Sequence, residues 1–273
     1  VALVDSSSSV STGGVIDAMT RDGTTALSGS TVTLSHDVTA VNDAPTRSAV
    51  SINLSAVSED TAAPSGETVL NLFSSAFSDA SDGIGGASPN NFAGVAITTN
   101  GANASTQGAW QYSTDSQNWY DVSTVTSGSA LALSTSAKLR FVPAARFNGT
   151  PTGLVIRLID DSSAITFTSG ASRATVDLSD DSAKSGGTTQ FSNSSNAVTL
   201  NTSITAVNDA PTRLAASVNL AAVDEGTVAP GGSDISTLFS AAFSDALDSV
   251  SGGSTANSFS GVAITTNAAN AST

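Results

Sequence analysis

Short apolar stretches separated by turn residues recur along the whole chain. Several alternate apolar with polar or small residues, as half-buried β-strands do. The most apolar is Gly153-Leu-Val-Ile-Arg-Leu-Ile159, which follows a loop containing Pro143, Asn148-Gly149 and Pro151. About nine such stretches lie between residues 44 and 209, with the spacing of strands in sandwiches and barrels. The pattern therefore predicts an all-β fold with two packed sheets.

The same periodicity places the individual elements. Val69, Leu72, Phe73 and Phe77 lie roughly at helical spacing and predict one short helix. Aromatic residues on both sides of Ser113-Thr-Asp-Ser-Gln-Asn118 predict a hairpin with arms at 109–112 and 119–122. The other predicted strands cover residues 48–54, 92–99, the segments around Leu131 and Leu139, 153–159, 165–168, 174–178 and 197–204.

One octapeptide occurs twice and divides the chain. Thr39-Ala-Val-Asn-Asp-Ala-Pro-Thr46 returns as Thr205-Ala-Val-Asn-Asp-Ala-Pro-Thr212, an offset of 166 residues. Solenoid repeats have periods of about 20–50 residues, so each unit here is predicted to be a domain in its own right. We predict the C-terminal part of one repeat over residues 1–43, a complete β-sandwich repeat over 44–209, and the N-terminal part of the next repeat over 210–273.

Sequence on both sides of the octapeptide supports this division. Residues 72–80 recur as 238–246, and 94–100 recur as 261–267 with one extra residue in the loop between them. Tolerance of an insertion predicts that this loop lies on the surface. Val1-Ala-Leu-Val-Asp5 aligns with Ile156–Asp160, so the chain is predicted to begin within a repeat of a longer protein.

Composition and charge narrow the classes of function. Hydrophobic residues make up 39% of the chain, which is too many for a disordered linker. The net charge of −14 disfavours binding to nucleic acid or to an anionic membrane surface and favours cations. Carboxylate and amide oxygens suit calcium, whereas the absence of Cys and the single His suit zinc and redox metals poorly. No apolar run is long enough to cross a membrane, so no membrane insertion is predicted.

Several motifs together carry a family resemblance. Asn-Asp-Ala-Pro at a repeat junction resembles the linker of cadherin-like and immunoglobulin-like repeats in giant bacterial surface adhesins exported by type I secretion. Val57-Ser-Glu-Asp-Thr61 is similar to the acidic motif that closes their first strand, and Phe77-Ser-Asp-Ala-Ser-Asp82 to their Phe-x-Asp-x-Asp loop. Phe141-Val-Pro-Ala-Ala-Arg-Phe-Asn-Gly149, with the strand ending at Asp160, is similar to their Phe-Asn-Gly turn and following strand.

The likeness covers nearly all of the complete repeat and part of both flanking segments, with two departures. The loop spacing is Asp-x-x-Asp, and Ser58-Glu-Asp60 of the complete repeat becomes Asp224-Glu-Gly226 in the next. The resemblance implies tandem immunoglobulin/cadherin-like β-sandwiches of about 166 residues, stacked on neighbouring repeats of the same chain as an extracellular stalk or filament on the bacterial surface.

In that family calcium often lies between consecutive domains. The resemblance implies Asn42 and Asp43 as linker ligands, and Glu59 as a ligand from the base of the domain that follows the linker. It adds Asp79 and Asp82 as further candidates. The second copy implies the corresponding ligands Asn208, Asp209, Glu225, Asp245 and Asp248. A bound dication would neutralise these acids and stiffen the joint.

Structural alternatives accompany these predictions. Asn42-Asp43-Ala-Pro45 is also a sufficient turn signal, since Asn and Asp bond to local backbone and Pro stops a strand. For Asp79 and Asp82 the alternative is a solvated loop, or a helix end capped by Asp79.

Three further hypotheses concern function. The hairpin carrying Trp110 and Trp119 suits a glycan-binding module, although aromatic residues on hairpins also pack across strands. Exposed sheet edges would allow self-association into filaments by strand sharing. No catalytic arrangement recurs around His36, whose counterpart is Thr202, so we predict that the segment is not an enzyme.

Overall fold

The computed structural model describes residues 1–7, 9, 11–83 and 88–269. The chain forms two compact units, Val1–Ala40 and Val41–Thr273. The division falls before the predicted repeat boundary at Asp43, because the linker residues bond to the repeat that follows them. The Asn42 amide donates to the carbonyl of Thr189 at 3.2 Å, and the Ala44 N–H donates to the carbonyl of Gly187 at 2.7 Å. The predicted boundary after Asp209 lies within the second unit.

The first unit contains a single antiparallel strand pair among its described residues. β1 (Ala2–Val4) pairs with β2 (Leu27–Thr31), with Ala2 opposite Thr31 and Val4 opposite Leu27. The described residues between these strands are mostly exposed.

The second unit is built mainly from strands. Within the complete repeat these are β3 (Thr46–Arg47), β4 (Ser51–Asn53), β5 (Val57–Ser58), β6 (Glu67–Thr68), β7 (Phe77–Ser78), β8 (Phe92–Asn100), β9 (Gly108–Ser113), β10 (Tyr120–Asp121), β11 (Ala130–Ser134), β12 (Lys138–Pro143), β13 (Leu154–Asp160), β14 (Thr175–Val176), β15 (Val198–Asn201) and β16 (Ile204–Thr205). After it come β17 (Thr212–Arg213) and β18 (Phe243–Ser244). The helices are α1 (Val69–Phe73) and α2 (Ile235–Phe239), and short 3-10 turns cover Ala80–Gly83, Ser194–Asn196, Ser240–Ala242 and Ala246–Asp248.

Two sheets enclose the main core. The larger has the strand order β14-β11-β8-β13-β15-β4 and the smaller the order β10-β9-β12-β6. Ile97 and Ile156 from the larger sheet belong to the same buried cluster as Trp110 and Phe141 from the smaller one. This arrangement confirms the prediction of an all-β fold.

The central strands are buried on both faces. On β13, Leu154, Ile156 and Leu158 point into the main core, whereas Ile159 joins a second apolar cluster with Leu178. The long connection from β13 to β15 contributes Leu178 to this second cluster. It also contributes Asp181, whose Oδ1 lies 3.3 Å from the guanidinium of Arg157, a residue that is 5% exposed. Double burial explains why β13 is nearly continuous in apolar residues instead of alternating.

Most of the predicted elements of the complete repeat are present. The helix is confirmed as α1, where Thr68 caps the N-terminus by accepting from the Asn71 N–H. The hairpin is confirmed by the pairing of β9 with β10, with Tyr112 opposite Tyr120. Segment 165–168 is a correction, because it is not a strand. It lies extended over the larger sheet, with Phe167 packed against the second cluster.

Residues 261–267 differ from the segment whose sequence they repeat. They repeat the sequence of β8, yet they form no strand and are mostly exposed. In the complete repeat β8 is held between β11 and β13, and among the described residues nothing pairs with 261–267 in the same way. In the predicted surface loop between 80 and 94, residues 84–87 lie outside the described residues. Among the described parts of the chain, no helix is long and apolar enough to cross a bilayer.

Candidate metal centre

The complete repeat has two poles defined by β13, which extends about 23 Å for its seven residues. Asp160 ends β13 at what we term the N-terminal pole. β15 runs antiparallel to β13, with Val198 opposite Ile156 and Leu200 opposite Leu154, so the chain leaves β15 toward the opposite, C-terminal pole. The first octapeptide copy therefore approaches one pole and the second copy leaves from the other.

Pairing of β3 with β7 brings the first octapeptide copy to the acidic loop. Thr46 lies opposite Ser78 and Arg47 opposite Phe77, so the chain preceding β3 runs beside the chain following β7. The 3-10 turn Ala80–Gly83 then folds Asp82 back toward the linker. There the Asp43 N–H donates to Oδ1 of Asp82 at 2.7 Å.

Asn90 completes the cluster at the N-terminal pole. Its backbone N–H donates to Oδ2 of Asp79 at 2.6 Å. Its side-chain amide donates to Oδ2 of Asp82 at 2.9 Å and to Oδ1 of Asn42 at 2.7 Å. We call Asn42, Asp43, Asp79, Asp82, Asn90 and Asp160 the first joint cluster.

The acids of this cluster are deeply buried. Asp79, Asp82 and Asp160 are 5%, 7% and 0% exposed. Oδ1 of Asp79 and Oδ2 of Asp160 are buried with no hydrogen-bond partner among the described residues. A buried carboxylate oxygen without a partner is costly, so these two oxygens are the free acceptors of the cluster among the described residues.

Burial and neighbouring charge act on two of these groups. Burial raises the pKa of Asp79, and the charges of Asp82 and Asp160 raise it further against a lowering bond from the Asn90 N–H. Burial also raises the pKa of Asp160, offset in part by hydrogen bonding from Ser162 and increased by the charge of Asp82. The cluster therefore concentrates negative charge that the protein itself leaves uncompensated.

The second octapeptide copy repeats this network. The Asp209 N–H donates to Oδ1 of Asp248 at 2.7 Å. The Asn257 N–H donates to Asp245 at 2.6 Å, and its side-chain amide donates to Asp248 at 3.0 Å and to Asn208 at 3.1 Å. Asn257 is thus the counterpart of Asn90. Asn208, Asp209, Asp245, Asp248 and Asn257 form the second joint cluster.

Glu59 is not in the first joint cluster with Asn42 and Asp43. It lies at the C-terminal pole, where it is 6% exposed and accepts from the Val207 N–H and from the Asn148 side-chain amide. β5, which leads into it, pairs with β16 in parallel, so Glu59 is placed beside the second octapeptide copy. It therefore borders the joint that follows its own repeat. Its counterpart Glu225 is exposed on a turn closed by the Thr227 N–H and Asp224 carbonyl.

The donor set suits a hard cation, although rearrangement is needed. Among the described residues, no group of three or more His, Cys, Asp or Glu side chains is spaced to hold a metal ion. In the first joint cluster the Asn90 amide nitrogen lies between Asp82 and Asn42, where it bonds to both. Turning that amide would replace a donor with an oxygen. The buried carboxylates and two amide oxygens would then be ligands of the type calcium prefers.

Sequence reasoning missed Asn90, Asn257 and Asp160 as members of the clusters. Asp160 was recognisable as the end of the most apolar strand, on the same alternation as the core residues Leu154 and Ile156. The two Asn residues sit in polar loops, and only their recurrence at an offset of 167 residues, two positions before Phe92 and Phe259, could have indicated them.

The aromatic hairpin is largely part of the core. Trp110 is 0% exposed, packs edge-on against Phe141 at 5.1 Å, and donates from its indole N–H to the carbonyl of Thr152 at 2.9 Å. Tyr112 is 1% exposed, and Trp119 covers the guanidinium of Arg140 at 4.0 Å. Trp110 is therefore inaccessible to a sugar in this structure.

The residues after the second octapeptide copy line an apolar cleft of about 570 Å³. Phe239, Phe243 and Phe259 line it, and they are the counterparts of Phe73, Phe77 and Phe92 in the complete repeat. Phe77 and Phe92 pack at 5.3 Å and Phe243 and Phe259 at 5.6 Å. The cleft is therefore the core face of the second repeat and not a dedicated ligand pocket.

No family model, no curated protein and no solved structure matches this chain.

Proposed function

We propose that this chain is a segment of an extracellular structural and adhesive array. In this proposal, tandem immunoglobulin/cadherin-like β-sandwiches form a stalk or filament on a bacterial surface, and calcium stiffens the joints. Support for the array comes from the octapeptide and from the strand pairing that follows it. β3 pairs with β7, and β17 pairs with β18 in the same register. The location rests on the resemblance of the motifs.

One observation carries the calcium part of the proposal. Three carboxylates are buried together at the N-terminal pole, and two of their oxygens have no partner among the described residues. Three buried negative charges would repel one another strongly in a medium of low dielectric. The described ion pairs of Arg146, Arg157 and Lys184 are made with Asp209, Asp181 and Asp177, outside the three. A dication would supply the missing charge.

Asp79, Asp82, Asp160 and the side-chain oxygen of Asn42 would hold the ion in the first joint cluster. The cluster lies between the linker and the loop after β7, so binding there would fix the linker to the repeat. At the second joint Asp245, Asp248 and Asn208 would act in the same way. Such coupling makes metal affinity a contribution to the stability of the joint.

Calcium titration with a matched pair of variants tests this proposal. Asp160→Asn removes a buried carboxylate with an unpartnered oxygen, whereas Asp161→Asn changes its neighbour, which is exposed and accepts from Asn91 at 2.7 Å. We expect the wild type and Asp161→Asn to bind calcium by calorimetry and to melt at a higher temperature in calcium than in EDTA. Asp160→Asn should lose most of this shift. A wild type that neither binds calcium nor changes its melting temperature would refute the calcium part.

A further inference from the structure

The C-terminal pole of the complete repeat touches the repeat that follows it. Asn148, in the Phe-Asn-Gly turn before β13, is 2% exposed and makes two hydrogen bonds with Ser254. Its side-chain amide donates to the Ser254 hydroxyl at 2.9 Å, and its Oδ1 accepts from the Ser254 N–H at 2.6 Å. The two residues belong to consecutive repeats, 106 positions apart.

Further hydrogen bonds hold both partners of this contact in place. The Asn148 amide also donates to Glu59 at 3.0 Å, and Gly149 exchanges backbone bonds with Ile204 at 2.9 and 2.8 Å. The Ser254 hydroxyl donates to the carbonyl of Asp248, a member of the second joint cluster. Bonds therefore run from Glu59 through Asn148 and Ser254 to the acidic turn of the next repeat.

Glycines allow the two loops to approach this closely. A Cβ built on Gly253 would meet Oδ1 of Asn148 and would lie 2.6 Å from its carbonyl oxygen. A Cβ built on Gly149, which has a φ of 106°, would lie 2.8 Å from the carbonyl oxygen of Gly252. Any larger side chain at these positions would separate the turn from the loop.

We infer that the Asn148–Gly149 turn is a docking surface for the loop around Gly253–Ser254 of the following repeat. We call this contact the Asn148 latch. It sets the orientation of consecutive repeats through hydrogen bonds and close backbone approach, without a metal ion. The inference rests on the tandem-repeat part of the proposed function and is independent of its calcium part.

Distance measurements between consecutive repeats test the latch in the full chain. The sequence has no Cys, so cysteines introduced at Ser74 and Ser240 are the only sites for spin labels. Both serines are exposed, and they are equivalent positions that follow α1 and α2. Pulsed electron–electron double resonance then measures the distribution of distances between the two labels, which reports the separation of the repeats and its spread.

The key variants are Gly253→Ala and a matched control, Gly231→Ala. Neither glycine has a positive φ, and a Cβ on Gly231 would meet nothing within 4 Å. We expect Gly253→Ala to broaden the distance distribution about twofold or more, because repeats without a specific contact move independently. Gly231→Ala should match the wild type.

Ser254→Ala provides a second variant, which adds no bulk, removes the two bonds of the hydroxyl with the Asn148 amide and the Asp248 carbonyl, and keeps the backbone bond to Asn148. We expect Ser254→Ala also to broaden the distance distribution. If circular dichroism shows that Gly253→Ala is unfolded, Ser254→Ala alone tests the latch. A wild-type distribution in folded Gly253→Ala, or in Ser254→Ala, would overturn the latch.

Measurements in calcium and in EDTA separate the latch from calcium binding. If the wild type keeps its distribution in EDTA while Gly253→Ala broadens it, the latch is supported and stiffening by calcium is refuted. If the wild type broadens only in EDTA, and neither variant broadens in calcium, calcium orients the repeats and the latch is overturned.

Discussion

The side-chain amide of Asn90 lies 2.9 Å from Oδ2 of Asp82, and Asn257 repeats this bond with Asp248 at 3.0 Å. Each Asn also bonds to the Asn of the preceding octapeptide copy, at 2.7 Å for Asn42 and 3.1 Å for Asn208. Since the Asn donates to both the linker and the acidic turn, it links the two. The recurrence shows that the joint is a repeated structural unit and not an accident of one loop.

Removing the Asn90 side chain should weaken the first joint cluster. Asn90→Ala deletes both amide bonds, one of them to a carboxylate that is 7% exposed. We expect the free energy of unfolding in EDTA to fall by about 1–3 kcal/mol, the usual cost of an unsatisfied buried group. Chemical denaturation measures it. The control is Asn91→Ala, which loses the side-chain bond to exposed Asp161, keeps the backbone bond to it, and should change stability less. Equal losses in the two variants would contradict the assignment.

In the metal-free protein, the contributions of Asp160 and Asp161 to the free energy of unfolding should change with pH in opposite directions. Burial raises the pKa of Asp160, so its stabilising contribution is present at low pH and is lost as the pH rises through its folded-state pKa. Hydrogen bonds from the Asn91 side chain and backbone lower the pKa of Asp161, so its contribution is lost as the pH falls.

Thermal melts in EDTA between about pH 7 and pH 2 check these signs, since the gain from Asp160 occurs above about pH 4 and the loss from Asp161 below it. On acidification the wild type should gain stability relative to Asp160→Asn and lose it relative to Asp161→Asn. The same sign for both variants would show that Asp160 is not a carboxylate destabilised by burial.

The two tryptophans should differ sharply in their contribution to stability. Trp110 is 0% exposed and fills the core against Phe141, so Trp110→Ala should lower the free energy of unfolding by about 3–5 kcal/mol. Trp119 is only partly buried and lies over Arg140. Trp119→Ala should therefore lower it much less, by roughly 1 kcal/mol for the lost cation–π contact.

Guanidinium denaturation of both tryptophan variants provides the measurement. A glycan array with Trp119→Ala, which stays folded if this prediction holds, then tests the sugar-binding alternative separately. A small effect of Trp110→Ala would be inconsistent with its place in the core.

Asp115 should stabilise the hairpin only while it is ionised. It accepts from the Asn118 side chain at 2.7 Å and from the backbone N–H groups of Asn118 and Gln117 at 2.8 and 2.9 Å. These bonds, led by the Asn118 side chain, hold its pKa well below the usual range. Asp115→Ala should lower Tm at neutral pH, and the difference should shrink below about pH 4, where the carboxylate protonates in the unfolded chain but stays ionised in the folded one. A difference that persists unchanged in acid would point to packing instead of charge.

The sequence alone determined the repeat, the all-β class and the principal strands. An apolar stretch such as 153–159 is typical of a strand in the interior of a sheet, because a strand that is buried on both faces has apolar residues on both. The sequence also indicated Asp79 and Asp82 as partners of Asn42 and Asp43, through the resemblance of their motifs to those of a known family. The extended segment 165–168 has the composition of a strand, but whether it bonds in a ladder depends on neighbours that its own residues do not specify.

Tertiary structure alone decided which polar residues meet. Asn42 and Asp43 approach Asp82 because β3 pairs with β7, and Asp160 reaches the same pole because the register of β13 carries it there. Glu59 was expected with Asn42 and Asp43, yet parallel pairing of β5 with β16 places it at the C-terminal pole. Burial periodicity is encoded locally, residue by residue. Contacts between loops depend on the pairing of strands that are distant in the chain, by 32 residues for Thr46 and Ser78 and by 147 for Val57 and Ile204, which local sequence does not encode.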